Sequence, residues 1–212
     1  MLATKESKAK EPQQRSTWRE YAEALVMAVA LAMFIRTFVV QAFKIPSGSM
    51  LPTLEIGDHL LVNKFIYGLR IPLVGKRILE LREPVRGDVI VFIYPEDRTK
   101  DFIKRVIGTP GDRIEVRDKV VFVNGQRIDD PHAFYDPPSP QALHNPRDNF
   151  GPYVVPPHKV FVMGDNRDHS HDSRFWGPVD IDDILGKAFI LYWSWDSDDF
   201  SPRWSRIGMR IP

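Results

Sequence analysis

Apolar positions follow two different patterns along this chain. From Ala24 to Ile35 twelve residues pass without a polar side chain, and after Arg36-Thr37 the apolar character resumes through Phe38-Val39-Val40 and Phe43. Counted from Ala24 to Phe43, these residues as a helix would measure about 30 Å, the thickness of a bilayer's hydrocarbon core. Arg36 falls near one end, where a long stem can lie along apolar surface while the guanidinium reaches the headgroups. A transmembrane anchor over residues 21–43 is therefore expected. A cleaved signal peptide and a soluble amphipathic helix are the competing readings of the same core. Residues 1–20 carry Lys5, Lys8, Lys10, Arg15 and Arg19 against Glu6, Glu11 and Glu20 and read as a solvated polar tail. With the basic flank N-terminal, the positive-inside rule puts that tail in the cytoplasm and everything after Phe43 on the outer side.

From Ile45 onward the period changes. Short β-rich runs alternate with turn signals at His59–Asn63, Asp88–Ile93, Phe102–Ile107, Arg113–Arg117, Val120–Val123, Lys159–Met163 and Lys187–Trp193. Val120–Val123, then Asn124-Gly125, then Gln126-Arg127-Ile128 predicts a hairpin with a type I′ turn. No long amphipathic helix follows Phe43. The expected architecture over 44–212 is an all-β domain of antiparallel sheets folded over one another or partly closed into a barrel. Eight of the 18 prolines lie between Pro131 and Pro157, so residues 129–157 are expected to form an extended loop or a small β appendage.

Composition narrows the function classes. Net charge is +1, without the basic excess of a nucleic-acid binder. The absence of cysteine removes thiol nucleophiles, thiolate metal sites and disulfides.

Three segments carry candidate chemistry. In Ile45-Pro46-Ser47-Gly48-Ser49-Met50-Leu51-Pro52-Thr53-Leu54, two serines flank a glycine between prolines. Such a loop can present a hydroxyl for attack and aim a backbone N–H at a developing oxyanion; it could also be a plain turn leaving the helix. In Asp101-Phe102-Ile103-Lys104-Arg105-Val106-Ile107-Gly108, alternation groups Lys104 with Phe102 and Val106, and Arg105 with Ile103 and Ile107. A lysine on the core face would be desolvated, its pKa would fall, and its neutral amine could serve as base to a serine. Both basic residues have apolar company, so alternation leaves the choice open. Met163-Gly164-Asp165-Asn166-Arg167-Asp168-His169-Ser170-His171-Asp172-Ser173-Arg174 interleaves carboxylates with arginines, as a hydrogen-bonded network supporting a site does. Asp165, Asp168, His169, His171 and Asp172 are potential metal ligands, but their spacing fits neither a calcium loop nor a zinc helix, and no metal is expected.

These segments, with Arg86-Gly87-Asp88-Val89-Ile90-Val91-Phe92, occur in the order and context of the type I signal peptidases, and nearly the whole chain resembles that family of Ser–Lys serine endopeptidases. The resemblance implies Ser49 as nucleophile and Lys104 as general base. Ser47 would add its hydroxyl to an oxyanion hole formed with the Ser49 N–H. Ser170 would orient Lys104, and Asp165, Arg167, Asp172 and Arg174 would support them. Phe43, Ile45, Met50, Leu54, Phe102 and Ile103 would surround substrate side chains. It further implies an all-β catalytic domain of coiled antiparallel sheets, no cofactor, exported preproteins and the lipid membrane as partners, no nucleic acid, and a single-pass protein of the inner (plasma) membrane. Cleavage after small residues of the Ala-x-Ala type follows from the same resemblance. A self-cleaving repressor-type Ser–Lys protein, a specialised maturation peptidase and an inactive tethered scaffold are the alternatives. His169 and His171 flank Ser170 where small or amide residues are expected.

Overall fold

Branched and aromatic residues make up most of the apolar runs after residue 40, and they pair into antiparallel sheets. The computed structural model describes residues 17–70, 77–79, 81–137 and 147–212. In chain order these form helix α1 (Thr17–Phe34), a wider π-helical turn (Ile35–Val39), and strands β1 (Val40–Lys44), β2 (Asp58–Asn63), β3 (Leu69–Arg70), β4 (Arg77–Leu79) and β5 (Val89–Ile93). Strands β6 (Asp101–Gly108), β7 (Arg113–Arg117), β8 (Val120–Val123), β9 (Gln126–Arg127), β10 (Phe150–Val154) and β11 (Lys159–Met163) follow. After a short helix α2 (Ser173–Trp176) come β12 (Val179–Asp180), β13 (Ile184–Asp196) and β14 (Ser201–Pro202).

The large sheet has the order β1-β2-β13-β5-β6-β11-β12, with β14 on β13. A four-stranded sheet runs β10-β7-β8-β9, and β3 pairs with β4. The chain is thus mostly β with an N-terminal apolar helix, as its patterning predicts. Asn124 and Gly125 both adopt positive φ (54° and 78°), the backbone that the type I′ turn between β8 and β9 demands.

One boundary differs from the sequence reading. The apolar stretch does not stay helical to Phe43: Val40–Lys44 is edge strand β1, registered from Val40 against Asn63 to Lys44 against His59. A run rich in β-branched and aromatic residues suits either element, and the partner strand decides. The Pro-rich stretch contributes β10, which pairs with β7 through a register shift between Phe150 and Tyr153. Residues 138–146 of that stretch, and residues 1–16 of the polar tail, lie outside the described residues. Helix and turn together, Thr17–Val39, are long and apolar enough to cross a membrane by length and composition, and none of α1 is buried in the protein.

Three apolar clusters hold the sheets together. One lies under the Ser49 loop (Ile45, Met50, Leu54, Leu60, Val62, Val89, Leu191), and a second behind β5 and β6 (Tyr67, Ile90, Phe92, Val106, Val162). The third packs the small sheet on β6 and β11 through Ile107, Ile114, Val121, Phe161 and Met163. Buried Asp58 fastens the C-terminal segment to the start of β2: it accepts from Ser194 Oγ (2.6 Å), the Glu55 N–H (2.8 Å) and Arg206 Nη2 (2.6 Å). Burial alone would raise its pKa; the hydrogen bonds from Arg206, Ser194 and Glu55 outweigh that and hold it below 3.8. Asp58→Ala should therefore cost about 3 kcal/mol, because Arg206 keeps only the part-exposed Glu55 as counter-charge and the Ser194 hydroxyl and Glu55 N–H lose their buried acceptor. A depressed carboxylate stabilises the fold fully above its unfolded pKa and loses that contribution as pH falls through its folded value. Denaturant titrations of wild type and variant should show a full difference at neutral pH that shrinks below about pH 3.8.

Candidate active site

Lys104 sits in the middle of β6, opposite Ile90 of β5, and only 3% of it is exposed. Arg105, opposite Val89, is equally buried, because this part of β6 is covered on both faces. Alternation could not choose between them for that reason. Their chemistry separates them. Arg105 forms a bidentate ion pair with buried Asp165 (2.8 and 2.7 Å) and donates to the backbone oxygens of Gly87 and Pro212. Lys104 Nζ has no ion-pair partner among the described residues; it hydrogen-bonds Ser49 Oγ at 2.7 Å and the Ile103 carbonyl at 2.9 Å, 5.4 Å from the Phe102 ring centre.

Ser49 is carried by a single 3-10 turn, Gly48–Met50, between β1 and β2. The loop is pinned at its base, where the Ile45 N–H donates to Asp58 O (2.8 Å) and the Gly57 N–H to Ile45 O (3.0 Å). Thr53 Oγ1 donates to Asp165 at 2.6 Å, so the carboxylate that neutralises Arg105 also holds the Ser49 loop. The Ser49 N–H lies at the front of the turn, where a 3-10 ladder supplies no acceptor.

Burial is the main influence on Lys104 and brings its pKa from 10.5 down to about 8; the nearby charges of Asp172 and Asp165 oppose the shift. Neither aspartate pairs with the lysine, since each has its own arginine. Asp172 accepts from Arg174 Nε (2.9 Å) and Nη2 (2.8 Å) and caps α2 through the Arg174 N–H. Burial would raise Asp172, but Arg174, Ser170 and the Gly164 N–H more than compensate and keep it low.

The other expected site residues divide. Ser47 is exposed on the loop in extended backbone. Arg167 donates to Gly164 O and pairs with Asp130. Ser170 is buried near Ser49, but its hydroxyl is engaged with Asp172 and the Gly164 N–H, and no hydrogen bond joins it to Lys104. Gly164 fits only as glycine: a Cβ would come within 2.3 Å of both Ser49 O and Ser170 Oγ, so the polar loop lies flush against the Ser49 loop. Phe43, Phe102 and Ile103 are half-buried and present surface, and Ile45 is nearly closed off. Met50 and Leu54 have no exposed surface, so they back this wall rather than line it. On one edge of β6, β11 is in register only from Arg105 onward, so Phe102 and Ile103 have a ladder partner on the β5 side alone.

A family model described as "Signal peptidase, peptidase S26" matches residues 18–193. The chain belongs to the peptidase S26 signal peptidases. It is similar to Signal peptidase I of Pseudomonas fluorescens (38% identity over 90% of this chain and 78% of the relative). Similarity to Signal peptidase I of Leptolyngbya laminosa is 38% over 87% of this chain and 84% of the relative. A solved signal peptidase I from Enterococcus faecalis aligns with a TM-score of 0.42 and 28% identity, over 50% of this chain and 97% of that one. This signal peptidase is accordingly a peptide-bond hydrolase of the serine class.

Sequence reasoning assigned no role to Arg105, Thr53 or residues 129–137. Yet the Phe134 N–H donates to Asp165 O (2.7 Å), the Arg167 N–H to Phe134 O (2.9 Å), and the Asp136 N–H to Asp168 (2.9 Å). A proline-rich composition gave no hint of these staples. The potential metal ligands of the polar loop are mostly taken up: Asp168 by Lys119, His169 by Asp136, Asp165 and Asp172 by arginines. His171 lies tilted against the Phe175 ring and meets Tyr94 edge-on.

Holding a lysine with a depressed pKa costs stability, and the sign is testable. Between about pH 8 and 10.5 the unfolded chain binds the proton that folded Lys104 releases, so stability rises with pH across that window. Lys104→Met has no such slope. The variant should be more stable than wild type at pH 7 by of order 3 kcal/mol, with the gap closing by about pH 10.5. A variant less stable by a pH-independent amount would contradict the desolvated-amine description.

Proposed function

We propose that this signal peptidase removes signal peptides from exported preproteins by a Ser–Lys dyad, with Ser49 as nucleophile and Lys104 as general base. The observation that carries the reading is a hydroxyl 2.7 Å from a buried amine that has no carboxylate partner. Neutral Lys104 accepts the Ser49 proton as Oγ bonds to the scissile carbonyl carbon, and the C=O pair moves onto oxygen. The Ser49 N–H and the Ser47 hydroxyl stabilise that oxyanion. Collapse breaks the C–N bond, Lys104 returns the proton to the leaving amine, and the signal peptide remains as an ester on Ser49. Water then attacks with Lys104 again as base, and Ser49 recovers its proton. Arg105–Asp165 and Arg174–Asp172 keep both carboxylates paired, so the amine stays unpaired and basic. Ser170, through Asp172 and Gly164, steadies the loop beside the dyad. Arg167 does the same through Gly164 O and Asp130.

The substrate binds extended along the Phe102–Ile103 edge of β6, and alternate side chains enter the protein together. The half-buried Phe43 and Ile103, backed by Ile45, Met50 and Leu54, together with Phe102, which stacks on Tyr94, leave room for alanine at the residue before the cut and two before it. Leucine there would overpack the wall, lowering the rate about ten- to a hundred-fold. The N-terminal helix anchors the enzyme in the inner membrane, tail in the cytoplasm and catalytic domain outside, which raises its effective concentration toward membrane-held signal segments.

Ser49→Ala should lose at least about 10⁴-fold in preprotein cleavage while staying folded. Wild-type kcat should climb with pH and level off above about 8, because only about a tenth of Lys104 is neutral at pH 7. A folded Ser49→Ala enzyme with near-normal turnover would sink the dyad. In a peptide series varying only the residue before the cut, Gly and Ala should be processed and Leu and Phe resisted; equal rates for Ala and Leu would refute the small-residue specificity.

A further inference from the structure

Asn166 grips the nucleophile loop twice. Its backbone N–H donates to Ser49 O and its side-chain Nδ2 to Gly48 O, each at 3.2 Å. The side chain is 5% exposed, and its Oδ1 has no hydrogen-bond partner among the described residues. Gly48 O can only accept, so the amide must turn its nitrogen toward it. Packing alone gives no reason to bury an amide whose oxygen goes unsatisfied, and the Nδ2 contact is what this side chain supplies.

The consequence lies on the opposite side of one peptide bond. Among the described residues only Leu51-Pro52 and Gly151-Pro152 are cis, so the Gly48–Ser49 peptide is trans and planar. Its C=O and N–H therefore point in opposite directions, and fixing Gly48 O fixes the Ser49 N–H. Gly48 lacks a Cβ, so this peptide plane could otherwise rotate at little steric cost. We propose that Asn166 is a positioning residue for the oxyanion hole, holding Gly48 O so that the Ser49 N–H points at the scissile carbonyl oxygen. Asn166 itself touches no substrate. The inference rests on Ser49 being the nucleophile. Gly48 O also accepts from the Leu51 N–H at 3.2 Å, so removing the Asn166 donor loosens the peptide without freeing it. The loss should be smaller than deletion of an oxyanion donor, which costs about 10²–10³-fold.

The test uses the full chain in detergent and compares wild type, Asn166→Ser (too short to reach Gly48 O), Asn166→Leu (similar volume, no donor) and Ser49→Ala. Both Asn166 variants should lose about ten- to fifty-fold in kcat, with KM within about two-fold, because the hydrogen bond they misalign is realised in the transition state. The pH midpoint of kcat and the thermal midpoint should match wild type. The inference is overturned if kcat stays within about two-fold of wild type, if the loss lies in KM, if it tracks a lowered unfolding midpoint in both variants, or if the pH midpoint moves. Cleavage persisting in Ser49→Ala would overturn the nucleophile reading itself, whereas normal Asn166 variants beside an inert Ser49→Ala would overturn only the positioning role.

Discussion

An amine buried in β6 without a counter-charge is the constraint on which the rest of this structure turns. Burial of Lys104 carries its pKa from 10.5 to about 8, against the pull of Asp172 and Asp165. An ordinary lysine is neutral in about one molecule in 2,500 at pH 7, too few to serve a serine efficiently. Were either aspartate free to pair with Lys104, the charged form would win and the neutral amine would be lost. The fold prevents this by giving each carboxylate an arginine of its own, buried with it and satisfied on its remaining donors by backbone oxygens.

The same pairs set the geometry. Asp165 links Arg105 on β6 to Thr53 on the Ser49 loop, and Gly164 lets the two loops touch. Residues 129–137 then clamp the polar loop from the small-sheet side through Phe134, Asp130 and Asp136. Lys104 and Ser49 thus belong to separate elements, 55 residues apart in the chain, whose spacing is fixed by hydrogen bonds rather than by local sequence.

β2 and β13 carry the alternation of a strand with one buried face, whereas β5 and β11, buried on both faces, were located by apolar runs between turn signals. Alternation could not assign side chains where both faces are buried. β6 is buried on both faces, so Lys104 and Arg105 looked equivalent until their partners were known. Val40–Lys44 looked like the end of the apolar helix because composition alone does not reveal that β2 is waiting beside it. Three blocks of motif residues named the dyad candidates and the supporting aspartates and arginines. The links between blocks (Thr53 to Asp165, Phe134 to Asp165, Asn166 to Gly48) are long-range hydrogen bonds with no periodic signature. Ser170 was expected on Lys104 and is found on Asp172 and Gly164, a choice between neighbouring acceptors and donors that no spacing rule specifies.

The central claim is that desolvation lowers the Lys104 pKa far enough for a useful fraction of the amine, about a tenth at pH 7, to be neutral, and a direct titration of that amine tests this most closely. Lysine labelled with ¹³C at Cε can be followed by NMR from pH 6 to 11, the Lys104 resonance being the one missing from Lys104→Met. The account predicts a midpoint near 8, well separated from the exposed lysines. A Lys104 resonance titrating near 10.5 with the others would contradict it.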